Sequence, residues 1–146
     1  MLALGFGSGL SPKAPGTAGT LMAVPLFLLL MYLPFWYYLL FVAVAFIAGV
    51  YFCDVTAKYL QVHDHPAIVW DEFVGLWVSL LPLLVIDFSW LYLVSGFILF
   101  RVFDILKPWP INILDKKVHG GWGIMLDDML AGIFAGGCLS LIINFT

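Results

Sequence analysis

The chain has 146 residues, of which 64% are hydrophobic and only 10% are charged. Soluble domains carry about 25% charged and about 45–50% apolar residues, and a soluble core of this size could not hide the excess, so we expect a lipid bilayer around the chain. The formal net charge of −3, without any run of basic residues, argues against a nucleic acid partner.

The first part of the chain predicts a loop followed by two short membrane spans. Residues 5–20 are rich in Gly, Pro, Ser and Thr, which disfavours a regular helix, and we expect no cleavable signal peptide before them. Residues 21–53 carry no charge, and Pro34 marks a turn because the residue before a proline avoids helical backbone. The predicted spans are 19–33 and 35–53, both short against the usual length of about 20 residues.

Three more spans are predicted in the remainder of the chain. They cover residues 72–86, 90–106 and 124–145, and residues 111–123 form a loop before the last one. Pro82 lies inside the first of these spans, where neighbouring helices can satisfy the carbonyl that a proline leaves free. The fold class is therefore all-α: one domain, a polytopic membrane bundle of about five short transmembrane helices with a Gly/Pro-rich N-terminal loop.

Five single crossings would place almost all charge on one side of the membrane. All six Lys and Arg residues and eight of the nine acids fall on that side, and only Asp87 falls on the other. The positive-inside tendency makes the charged side cytoplasmic. The same threading places the C-terminus outside.

Two pairs of adjacent acids are the first candidates for chemistry. Asp71 and Glu72 open an apolar helix, where helix capping is the simpler explanation, although adjacent residues point about 100° apart and one of them could reach a site. Asp127 and Asp128 lie inside an apolar span, so capping does not explain both. Adjacent buried carboxylates repel each other, and one of them would take up a proton unless a cation is close. A divalent metal is the simplest such cation, and oxygen ligands without sulfur favour Mg²⁺ or Mn²⁺ over zinc.

Arg101, Asp104 and Lys107 are spaced three residues apart and therefore share one helix face. Charges as deep as Arg101 and Asp104 are expensive in a membrane and are usually functional, although these two side chains could also pair with each other. Lys107 is closer to the helix end, and its side chain could simply reach toward water.

Several residues outside these helices could bind an anion. Gly120 and Gly121 precede the last span and could present backbone N–H groups to a phosphate, and His119 beside them could act as an acid or a base. Lys13 and Thr20 belong to the N-terminal segment, which could be a second anion-binding loop or only an interfacial linker. Carboxylates for a hard cation, together with Arg and Lys for an anion, indicate phosphoryl chemistry on a phospholipid.

Three sequence blocks resemble the bacterial phosphatidylglycerophosphatase A family. They are GFGSG through PGT in residues 5–17, HDH with WDEFVG in residues 63–75, and RVFDILKPWPI with HGGWGIM and DD in residues 101–128. The resemblance implies a Mg²⁺-dependent phosphatase of the bacterial inner membrane, and the predicted distribution of charges places its site at the cytoplasmic face. Its substrate would be phosphatidylglycerophosphate, which loses its terminal phosphate to give phosphatidylglycerol.

The candidate site residues fall into two sets. The catalytic and metal-binding acids are Asp71, Glu72, Asp104, Asp127 and Asp128. The phosphate-binding residues are Arg101, Lys107, Lys13, His119, Gly120 and Gly121. Attack by a metal-activated water and formation of an aspartyl-phosphate intermediate both remain open.

Two other functions are compatible with the composition. A small cation or proton transporter would also carry carboxylates inside its spans, but its polar groups should cross the whole membrane, whereas the predicted outer half holds only Asp87. A purely structural membrane protein should tolerate neutral replacements of its buried charges.

Overall fold

The computed structural model describes residues 15–60, 70–109, 111–117 and 120–145. These residues form helices and their connections, with no strand among them, which confirms the all-α prediction. The helices are α1 (Pro15–Leu30), α2 (Phe35–Leu60), α3 (Trp70–Ser79), α4 (Trp90–Leu106), α5 (Ile111–Lys117) and α6 (Gly120–Phe145), with a 3₁₀ turn at Leu81–Leu84.

Helix α3 lies at the centre of the bundle. Nine of its ten residues are buried, and it packs against α1, α2, α4 and α6. A helix without a polar side has to be enclosed by other helices or by lipid, and α3 is enclosed by helices. Trp77 joins it to two neighbours: its indole N–H donates to the carbonyl of Ala23 at 3.2 Å, and its own carbonyl accepts from the hydroxyl of Tyr38 at 2.7 Å.

Helices α3 and α6 approach each other closely at two glycines. A Cβ atom on Gly132 would overlap the carbonyl oxygen of Gly75, and a Cβ atom on Gly75 would lie 2.8 Å from the carbonyl oxygen of Asp128. Small residues at a helix crossing allow such close packing of the two backbones. Asp71 and Asp128 lie one helical turn before these glycines, so the close approach also brings their two turns together.

Several predicted boundaries are wrong where proline was misread. The span predicted for residues 72–86 is a helix only as far as Ser79, and Pro82 lies in the 3₁₀ turn. A proline lacks the N–H donor and clashes with the carbonyl four residues earlier, so the α-helix cannot run through it. The loop predicted up to residue 20 is wrong in its last part because α1 begins at Pro15, and proline is well tolerated in the first turn of a helix.

The other boundaries agree to different degrees. Helix α4 has the predicted bounds, and α2 runs past the predicted end at residue 53 to Leu60. The loop predicted for residues 111–123 is wrong, since it contains α5 and the first turn of α6. Glycine destabilises the interior of a helix but is tolerated at its start, so Gly120 and Gly121 did not exclude a first helical turn of α6 there.

Two of the described helices are long and apolar enough to cross a bilayer. These segments are Phe35–Val55 and Met125–Phe145, and Gly19–Leu30 is a shorter apolar segment. Helix α3 is about 15 Å long, half the thickness of a bilayer's hydrocarbon core of about 30 Å. The part of the chain that the structure describes thus contains two candidate crossings, and the arrangement with five spans is not confirmed.

Candidate functional site

Five carboxylates converge between the N-terminal end of α3, the C-terminal half of α4 and the first half of α6. Asp71, Asp127 and Asp128 each offer an oxygen, and these atoms lie within 4.8 Å of one another. Glu72, Asp104 and Asp128 form a second group with the same property. The two groups share Asp128, and together they contain all five acids that the sequence suggested as metal ligands.

The carboxylates of this cluster are withdrawn from solvent. Asp71, Asp127 and Asp128 are 5%, 3% and 2% exposed, and the side chains of Glu72 and Asp104 are 12% exposed. Asp71 and Glu72 lie in the first turn of α3, so the free N–H groups of the helix favour their charge. Asp127 and Asp128 lie about two turns inside α6, where no free N–H group is available, so they need compensation from other groups.

Two cations of α4 and its C-cap compensate part of this charge. Arg101 Nη1 donates to Asp104 Oδ2 and lies 3.5 Å from Glu72 Oε2. The pairing of Arg101 with Asp104 that the sequence left open is therefore present, but Arg101 also links α4 to α3. It neutralises part of both acids while holding the two helices at the site.

Lys107 is directed to the cluster by the way α4 ends. It is the C-cap residue, with φ 46° in the left-handed region, and its N–H donates to the carbonyl of Phe103 at 2.9 Å. Its ammonium donates to Asp127 Oδ2, and its side chain is 27% exposed. Reaching toward water, the simpler explanation offered by the sequence, does not account for this contact.

Thr20 contributes a contact that sequence reasoning missed. It is fully buried on α1, and its hydroxyl donates to Glu72 Oε2 at 2.9 Å. The sequence placed Thr20 in a possible anion-binding loop, whereas the structure places it on a helix against a carboxylate. The available signal was a hydroxyl at the start of an otherwise apolar run, which does not by itself name a partner.

Two buried atoms of the site have no hydrogen-bond partner within the described residues. One is the acceptor Asp128 Oδ2 and the other is the donor Arg101 Nε. A buried polar atom left without a partner costs about 1–3 kcal/mol, and more if it is charged. A cation beside Asp128 and an anion beside Arg101 would satisfy both, and a set of oxygen ligands without sulfur suits Mg²⁺.

A sequence model of the phosphatidylglycerophosphatase A family matches residues 1–143 of the chain. The chain belongs to this family. It is 50% identical to phosphatidylglycerophosphatase A of Escherichia coli strain K12 over 142 residues, covering 97% of this chain and 81% of that protein. It is 48% identical to phosphatidylglycerophosphatase A of Haemophilus influenzae over 139 residues, covering 92% and 82%. No solved structure matches the chain.

Of the remaining candidate residues of the phosphatidylglycerophosphatase A resemblance, the structure describes only some. Gly120 and Gly121 form the start of α6, which is the position expected of backbone N–H donors. Lys13 and His119 lie outside the described residues, as do residues 63–65 of the HDH block. Their roles remain predictions.

Proposed function

We propose that the chain hydrolyses the terminal phosphomonoester of phosphatidylglycerophosphate, giving phosphatidylglycerol and phosphate for phospholipid synthesis. The family membership supports this proposal, since both relatives carry the name of this enzyme. One observation of the site carries it: Asp128 Oδ2 and Arg101 Nε are a buried acceptor and a buried donor in one cluster, without partners among the described residues. Such a site suits a cation and a phosphate together.

Magnesium is the cofactor that we propose for this site. The residues that would hold it are drawn from Asp71, Glu72, Asp104, Asp127 and Asp128. When bound, a divalent ion supplies Lewis acidity toward a phosphoryl oxygen and favours the attack of water.

The side chains of the chain have separate tasks in this proposal. Arg101 donates its Nε–H to a phosphate oxygen while its Nη1 atom stays on Asp104, and Lys107 adds a second positive charge beside Asp127. The P–O bond to the glycerol breaks, and the leaving oxygen takes up a proton.

The role of one acid of the cluster depends on which of two routes the hydrolysis follows. It accepts a proton from the attacking water in one route, and it attacks phosphorus itself in the other. A rapid-quench search for phosphate bound to the protein distinguishes them, because only the second route leaves phosphate on a carboxylate.

We also propose that the chain is a multi-pass protein of the bacterial inner membrane. The outer side of α2 supports this location, because large apolar side chains are exposed along it at helical spacing. They are Leu40, Val44, Ile47, Tyr51 and Val55. Water-soluble proteins rarely expose an apolar patch of that extent, whereas lipid covers it without penalty.

The charges support a site at the cytoplasmic face. Cys53 of α2 contacts Met125 of α6 at 3.9 Å, so the end of α2 that carries the ion pair of Asp54 and Lys58 lies at the level of the first half of α6. Among the charged residues that the structure describes, Asp87 lies at the opposite end, between the 3₁₀ turn and α4. The cations within the described residues are then at one end, which the positive-inside tendency assigns to the cytoplasm. A transporter has no support from this distribution or from the relatives.

Phosphate release by the purified protein tests the proposal. We expect release from phosphatidylglycerophosphate in Mg²⁺, much less from phosphatidic acid, and loss of activity in EDTA that added Mg²⁺ restores. Asp71→Asn and Asp127→Asn should abolish release, whereas Asp54→Asn is the control because that acid is more exposed and pairs with Lys58. No release by the unaltered protein would contradict the function, and full activity of Asp71→Asn or Asp127→Asn would remove that acid from the site.

A further inference from the structure

Asp128 belongs to both carboxylate groups of the site. One group adds Asp71 and Asp127 to it, and the other adds Glu72 and Asp104. We infer that the site holds two divalent cations, one in each group, with the carboxylate of Asp128 bridging them. This inference rests on the proposed function and adds the number of ions and the ligands of each.

The charges of the cluster exceed what one ion can neutralise. Five carboxylates face two cations, Arg101 and Lys107, within the described part of the chain, which leaves three negative charges. One divalent ion would leave the site negative, and a phosphomonoester carrying close to two negative charges would be repelled. Two divalent ions make the site positive by one charge, so the substrate is attracted. Salt screens charges in a buried site much less than charges at the surface, so this repulsion would persist at physiological ionic strength.

The environment of Asp128 gives a second, independent indication. The residue is 2% exposed, and its Oδ2 atom is buried without a hydrogen-bond partner among the described residues. In each carboxylate group, one acid already pairs with a basic side chain: Lys107 pairs with Asp127, and Arg101 pairs with Asp104. A carboxylate has two oxygens, and a bridging position uses both of them on metal ions. Pairs of ions about 3.5–4 Å apart are a recurring arrangement in phosphatases.

Manganese binding to the purified full chain tests the inference without relying on activity. We expect equilibrium dialysis to give two Mn²⁺ per chain, and electron paramagnetic resonance to show the splitting of two coupled ions. Asp71→Asn and Asp104→Asn remove a ligand from different groups, so each should leave one uncoupled ion. Asp128→Asn should abolish the coupling and weaken the binding of both ions by more than about tenfold, because even the loss of an outer-shell partner costs about 10–100-fold in metal affinity. Asp54→Asn should keep two coupled ions.

The unaltered protein alone can overturn the inference, so it does not depend on the folding of any variant. If the protein binds one Mn²⁺ per chain and still releases phosphate in Mg²⁺, the proposed phosphatase function stands with a single ion and the inference of two ions is wrong. Two ions without coupling, or coupling that persists in Asp128→Asn, would exclude Asp128 as the bridge. Failure to release phosphate from phosphatidylglycerophosphate would instead contradict the proposed function, whatever the number of ions.

Discussion

The geometry of the carboxylate cluster should depend on Gly132 of α6, because a glycine there lets α3 and α6 pack closely. In Gly132→Ala the new Cβ atom would overlap the carbonyl oxygen of Gly75, and it would lie 3.1 Å from that carbonyl carbon and 3.2 Å from Val78 Cβ. Carbon atoms in ordinary contact are about 3.5–4.0 Å apart, so α3 and α6 would have to separate by roughly 0.5–1 Å. Asp71 and Asp128 lie one turn away on the same two helices and would separate with them.

A displacement of this size predicts a large loss of activity with a smaller loss of stability. Misplacing reacting groups by about 1 Å can lower a rate by about 10²-fold, whereas an extra methyl group in a packed core costs about 1–3 kcal/mol of unfolding free energy. We therefore expect kcat/KM for phosphatidylglycerophosphate to fall about 10²-fold in Gly132→Ala. Thermal unfolding in detergent should still show a folded protein.

Two other glycines of α6 provide a graded control. A Cβ atom on Gly136 would be 3.4 Å from its nearest neighbours, an ordinary contact, and one on Gly137 would have nothing within 4 Å. Gly136→Ala should lose little activity. Gly137→Ala should lose none and could gain up to about 1 kcal/mol from better helix propensity. Equal kcat/KM in Gly132→Ala and Gly137→Ala would refute the idea that the close approach of α3 and α6 sets the site.

Four further outcomes are expected from other parts of the site. Thr20→Val should lower kcat/KM about tenfold, because Glu72 loses a donor worth about 1.5–3 kcal/mol, and Thr20→Ser should restore it; equal activity of both variants would show that the hydroxyl does not matter. Arg101→Lys keeps the charge but loses the Nε–H donor, so kcat/KM should fall about tenfold; an unchanged value would show that the Nε–H donor does not bind the phosphate. Asp128→Asn should raise the unfolding temperature of the metal-free protein while abolishing the further rise on adding Mn²⁺, and a normal rise would show that Asp128 is not a ligand. Alkaline phosphatase fused after Phe145 tests the five crossings predicted from the sequence, which would place the C-terminus outside and make the fusion active; fluorescence of the matching green fluorescent protein fusion instead would contradict five crossings.

The membership of the carboxylate cluster could be predicted because it follows from the order of charges along the chain. Asp71, Arg101 and Asp127 each lie near a boundary between an apolar segment and a polar connection, so any antiparallel arrangement of consecutive segments brings them to one end. The bounds of α4 were equally readable. The polar residues before Trp90 and Pro108 after the C-cap limit an apolar run that contains no proline.

The contacts that give the site its shape could not be predicted from spacing along the chain. Thr20 and Glu72 are 52 residues apart, and the close approach of Gly75 to Gly132 depends on how two distant helices cross. Pro82 was compatible with a kinked span as well as with the end of a helix, and only the packing around α3 decides between them. The local sequence pattern therefore identified the charged residues of the cluster, but the distances between them depend on tertiary packing.

The short length of α3 explains how so many acids can be buried at one place. Because the helix begins inside the bundle, its first turn lies at the level of the site, and its free N–H groups stabilise Asp71 and Glu72 by about 0.3–1 kcal/mol each. Asp128 has no such help, because it lies inside α6. Asp128 is also the acid that both carboxylate groups share, so the proposed cations would stabilise it most. In the proposed metal site the protein would give up some stability at Asp128 when no metal is bound and would gain metal affinity there, as expected of a residue kept for function rather than for folding.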